Sequence, residues 1–143
     1  MPLQIEKMFP ELWVDEDSEE GKNLNEAPLI RTQIERFRKK YTFSYHKVHD
    51  SQYNDKLLNI VPSLLHNQLN VVVLNFVDML SHARTENKMI RELAQSEAAY
   101  RSLTRSWFQH SGTLELFKRI AGKGYKVIVT TDHGTIRVDN PQK

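Results

Sequence analysis

The stretch VVVLNFVDMLSH, running from Val71 to His82, decides how the rest of the chain is read. Val71 to Val77 is apolar but for Asn75 and reads as a central strand covered on both faces. The run closes on an acid, Asp78, and an imidazole, His82, follows four positions later. A second run repeats the plan: Tyr125 to Thr131 contains KVIVTT and is followed by Asp132, His133 and Gly134. Open parallel sheets bind ligands beyond the carboxyl ends of their strands, so both acids are expected at one rim. Neighbouring strands lie about 4.8 Å apart, close enough for two carboxylates to repel and for one to take up a proton. A divalent cation removes that penalty. Asp78, His82, Asp132 and His133 offer oxygen and neutral nitrogen donors, a set that suits zinc, manganese or iron better than calcium.

Each feature has a plainer alternative. Asp78 by itself could cap a helix, and Asp132 could hold an Asp-His-Gly turn through backbone amides. In Asp78-x-x-x-His82 the chain is expected to leave the strand and fold back before both groups can reach one ion. Asp132 and His133 are adjacent and cannot share a strand face, so the backbone there must already be turning, which Gly134 permits. His46, His49, His66 and His110 show no such placement and read as surface or packing residues, and Trp13 and Trp107 read as core.

The remaining sequence supplies the frame. Leu29, Ile30, Gln33, Ile34 and Phe37 recur at helical spacing from Asn25 onward, with Asn23 three positions before Glu26 in the form of a helix start and Pro28 in the first turn. The basic run RFRKK, Arg36 to Lys40, closes that helix, where its dipole favours cations; phosphate-backbone binding is the sharper reading, and no stacking ladder accompanies it. Tyr41 to Val48 alternates aromatic and β-branched residues with polar ones, as a strand does. Ser51 to Leu65 predicts a helix that Pro62 kinks or interrupts. Helical signals return after His82 through Met89, Ile90, Leu93 and Ala94, then Ala98, Tyr100, Leu103 and Trp107. Leu114, Phe117 and Ile120 mark a last helix, stopped by Gly122 to Gly124. Leu3 to Met8 predicts a helical turn ended by Pro10, and the acidic block DEDSEE reads as a solvated loop. Strands alternating with helices imply an α/β fold, a mostly parallel sheet with βαβ crossovers. No closing helix follows Ile136 to Lys143, so residues 1–143 read as one partial domain.

Composition narrows the class. A chain of 143 residues with a net charge of +2 and interleaved charges carries no mandate for nucleic acid or anionic membranes. It has no cysteine, hence no disulfide, thiolate metal site or thiol nucleophile. MPLQIEKMFP lacks the plan of a signal peptide, and no apolar run is long enough for a membrane helix. The expectation is a soluble, cytoplasmic protein.

The motifs NFVDMLSHAR and TTDHG resemble the alkaline phosphatase superfamily. Together with FPELWVD, EEGKNLNEAP, FSYHKV, NFVDMLSHARTE and TTDHGT, they make the chain similar to a PglZ domain, the output module of PorX-like two-component response regulators. The resemblance implies an incomplete alkaline-phosphatase-like fold without a receiver domain. It also implies two divalent ions, zinc or alternatively manganese, with Asp78 and His82 on one and Asp132 and His133 on the other. A Ser or Thr nucleophile is expected before Met1; Ser81, Thr130, Thr131 and Thr135 do not occupy its place. Arg84 could meet a phosphate oxygen, an ordinary salt bridge being the alternative. The implied substrate is a phosphate ester, nucleotide- or oligonucleotide-like, and the implied partners are a sigma factor or sensor kinase, with the parent protein a dimer. A non-catalytic scaffold with structural metals is the competing reading.

Overall fold

Strands β1 (Phe43–Val48) and β2 (Leu69–Leu74) run parallel in register, from Phe43 opposite Leu69 to Val48 opposite Leu74, and helix α2 (Tyr53–Leu64) joins them. This is the βαβ crossover expected of an α/β chain, because parallel neighbours need a connection long enough to return to the starting edge. The computed structural model describes residues 7–12, 25–48, 53–131 and 134. Helix α1 (Glu26–Arg36) precedes the unit, and α3 (Phe76–Glu86), α4 (Lys88–Leu93), α5 (Glu97–His110) and α6 (Gly112–Ile120) follow it. Asn23, Trp13, His49 and the acidic block lie outside the described residues.

Strand alternation sorts the side chains onto two faces. Val48, Val72 and Leu74 share one face and pack with Leu57, Val61 and Leu64 of α2 and Leu116 of α6. Leu57, with no exposed surface, is the centre of this core. Phe43, Tyr45 and Lys47 share the other face, under α1. There Glu26 accepts hydrogen bonds from the Tyr45 hydroxyl and, at 2.9 Å, from Lys47 Nζ, while the Arg31 guanidinium lies 5.5 Å from the Phe43 ring centre. The layers are therefore held differently, by apolar packing under α2 and α6 and by a polar clamp under α1. An apolar groove of about 640 Å³ remains beneath α1, between Leu29, Ile30, Ile34 and Phe37 on one side and Leu69 and Val71 on the other.

Local chemistry fixes the helix ends. The side chains of Asn87, Ser96 and Ser111 accept backbone N–H bonds at the starts of α4, α5 and α6, satisfying donors that a helix leaves unpaired. Gly122, at φ 79°, follows α6 in the left-handed conformation, as the GKG stop requires. Pro28 occupies the first turn of α1, as expected. Pro62 neither ends nor interrupts α2, which continues to Leu64. Its missing N–H falls in the last turn, where one lost bond leaves the helix intact.

Two strand expectations are corrected. β2 ends at Leu74, not Val77, and Phe76 and Val77 open α3; a short apolar run does not separate a strand from a helix start. β2 begins at Leu69, two residues before the apolar run, and is half-buried rather than covered on both faces. Tyr125 to Thr131 joins no ladder among the described residues. The Tyr125 hydroxyl donates to the Leu64 carbonyl at 2.9 Å, tying the segment to the end of α2. Beyond it Ile128 and Val129 are 87% and 79% exposed. β-Branched residues fit a pleated, half-buried surface, and none is offered to this segment among the described residues.

Candidate metal centre

Asp78 and His82 are brought together by a helix, not by a chain folding back from a strand. β2 delivers the backbone to Asn75 and α3 starts at the next residue, so Asp78 is the third residue of α3, just past the carboxyl end of the sheet. His82 is one turn further, and its Nε2 lies 3.6 Å from Asp78 Oδ1. Residues four apart share a helix face. Both side chains are open to solvent, 51% exposed for Asp78 and 69% for His82. Asp78 also has a structural reason to be there, since an acid in a first helical turn is stabilised by the dipole by about 0.3–1 kcal/mol. Asn75 three residues ahead of Asp78 is the sequence signal for this helix start, and the surrounding apolar run obscured it.

The pair suits a metal. Ligand bonds of about 2.0–2.2 Å to tetrahedral zinc separate two donors by roughly 3.4 Å, close to the observed spacing. Among the described residues no group of three or more His, Cys, Asp or Glu side chains is gathered for an ion. Asp132 and His133 lie outside the described residues.

Arg84 belongs to a different surface. Two residues past His82 it is turned by about 200° around the helix, away from the Asp78–His82 face. Its Nη1 donates to Glu97 Oε1 at 3.1 Å, and its guanidinium lies 5.4 Å from the Tyr100 ring centre. Tyr100 in turn donates its hydroxyl to the Val77 carbonyl at 3.1 Å. Phe76 stacks on Trp107 with ring centres 4.3 Å apart. These contacts dock α5 on one side of α3 and leave the acid–imidazole side outward. The salt bridge is thus the role of Arg84 that the structure displays. Ser81 is half-buried, and Thr130 and Thr131 are exposed. His66 and His110 are exposed and His46 half-buried, as surface and packing residues should be.

A family model described as the BREX system PglZ alkaline phosphatase-like domain matches residues 1–143. The chain belongs to the PglZ family. No curated protein matches it. As an alkaline phosphatase-like domain, PglZ joins a superfamily that generally depends on divalent metals and acts on phosphate esters. No helix among the described residues is long and apolar enough to cross a membrane.

Proposed function

We propose that this PglZ chain carries ligands of a metal-dependent phosphoesterase whose substrates are nucleotide-like phosphodiesters. The observation that supports it most is the placement of Asp78 and His82, spaced for one ion on an open helix face at the carboxyl end of a parallel strand. Asp78 and His82 would hold one ion and Asp132 and His133 a second, with zinc the best match to the donors and manganese the alternative. Bound divalent ions supply Lewis-acid stabilisation of the charge on transferring phosphoryl oxygens. The chain's own part is to fix the donors: α3, clamped by Arg84, Tyr100 and Trp107, keeps the carboxylate and imidazole at ligand spacing without loop flexibility. Ser81, Thr130 and Thr131 do not take the nucleophile's place, and turnover is proposed to need residues beyond these 143. The motifs shared with PorX-like output modules support control by a phosphorylatable receiver, in a cytoplasmic and dimeric parent contacting a sigma factor or sensor kinase.

The test is hydrolysis of bis(p-nitrophenyl) phosphate by the full-length protein containing this segment, with zinc or manganese. His82→Ala and Asp132→Asn are each expected to lower turnover at least 100-fold with unchanged circular dichroism. Turnover within twofold of the parent in both variants would sink the catalytic reading in favour of a scaffold.

A further inference from the structure

The basic run that closes α1 is a second candidate surface, at the other end of the sheet from Asp78. α1 ends in a turn where the Arg38 N–H donates to the Glu35 carbonyl at 2.8 Å and the Lys39 N–H to the Ile34 carbonyl at 3.1 Å. This double closure places the residue after the cap in the left-handed region, normally glycine. Here that residue is Arg38, at φ 54°. A side chain in that conformation carries a steric cost that glycine avoids. The fold thus keeps a side chain where the backbone favours glycine, and strain of this kind concentrates at functional positions.

The surroundings give the cation a purpose. Arg36, Arg38, Lys39 and Lys40 are all exposed, and among the described residues none makes a side-chain hydrogen bond or ion pair. Two exposed rings accompany them, Phe37 at 71% and Tyr41 at 47%; they are a pair rather than the ladder missing from the sequence, and with Lys39 they also line the groove beneath α1. Large exposed aromatics interleaved with unpaired cations are the parts of a single-strand platform, in which rings stack bases and cations track phosphates. An anionic membrane is the weaker match, because Leu29, Ile30 and Ile34 face β2 across the same groove that Phe37 and Tyr41 line, and so form no outward apolar helix face to insert. We propose that Arg36 to Tyr41 binds single-stranded nucleic acid. This surface precedes β1 whereas Asp78 follows β2, and a strand of six residues separates the two ends of the sheet by about 20 Å. The proposal therefore does not rest on the phosphoesterase reading.

The experiment is fluorescence anisotropy of a labelled fifteen-nucleotide oligo-dT with this chain, titrated at several salt concentrations. Saturable binding at low salt is expected, weakening with salt at a log–log slope of roughly 0.7 per phosphate contacted. Charge reversal by Lys39→Glu with Lys40→Glu should weaken binding at least tenfold and flatten that slope. Phe37→Ala with Tyr41→Ala should weaken oligo-dT binding about tenfold while leaving affinity for inorganic polyphosphate within twofold. Arg38→Gly guards against misfolding: affinity should fall severalfold while the thermal midpoint holds or rises. Absence of saturable binding at low salt overturns the proposal. So does a double aromatic variant that binds oligo-dT as the parent does, which leaves only general affinity for polyanions. Binding to phosphatidylserine vesicles that is tighter than to oligo-dT, and lost in the aromatic variant, assigns the surface to a membrane instead.

Discussion

His46 lies on the β1 face that α2 covers, with its Nε2 3.4 Å from the Ser63 hydroxyl oxygen. Burial holds its imidazole below the ordinary value near 6.5. A folded-state value below the unfolded one means that the unfolded chain takes up more protons, so stability rises with pH in that window. The contribution is complete above about pH 6.5 and is lost as pH falls through the lowered value. His46→Gln should therefore reduce the fall in urea midpoint between pH 7.5 and pH 5.5, and an unchanged fall would clear His46 of any part in it. Leu57 makes the opposite kind of contribution, independent of pH. It is fully buried among Val48, Val61, Leu64 and Leu116, so Leu57→Ala should cost about 2–5 kcal/mol through lost burial and an unfilled cavity. Chemical denaturation monitored by circular dichroism measures it. At this scale the sequence was informative about types: an Asp and a His four apart, an apolar position at helical period. It did not show that Arg84 pairs with Glu97, since a partner thirteen residues away has no local signature.

Among the elements, α1 is held to the sheet differently from α2, which sits in the apolar core. Its clamp is polar, Glu26 receiving Tyr45 and Lys47, and the groove beneath it remains open. Partly exposed charge-assisted bonds of this kind contribute about 1 kcal/mol. Glu26→Gln should raise hydrogen–deuterium exchange across α1 by roughly fivefold and leave α2, seated in the apolar core, unchanged. Equal exchange in α1 before and after the substitution would mean that apolar contacts alone hold it. α1, α2, α5, α6 and β1 were legible because each has a sustained period or a capping residue. The β2–α3 junction was not, because LNVVVLNFV is apolar on both sides of it and the only mark is Asn75. That junction matters most for function, as it moves Asp78 from a strand end to a helix, where His82 joins it without rearrangement.

Among the described residues, many large apolar side chains stay exposed around a small core. Val127, Ile128 and Val129 are exposed by 50%, 87% and 79%, and the two-stranded sheet continues no further among the described residues. Exposed β-branched runs without a ladder partner invite association between chains. The chain is expected to show a concentration-dependent mass in light scattering, and Ile128→Lys should shift it toward the monomer; a mass independent of concentration in both proteins would contradict this. By itself, the sequence determined the α/β class, the parallel pair with its crossover, the helix stops and the Asp/His motifs, because these follow from period, caps and residue chemistry within a few positions. The tertiary structure alone decided where β2 yields to α3, which face of α3 is open, that Arg84 serves the α3–α5 seam, and that KVIVTT joins no ladder among the described residues. Each of these depends on which distant groups come to lie alongside, and pairing at a distance leaves no mark in a short stretch of chain.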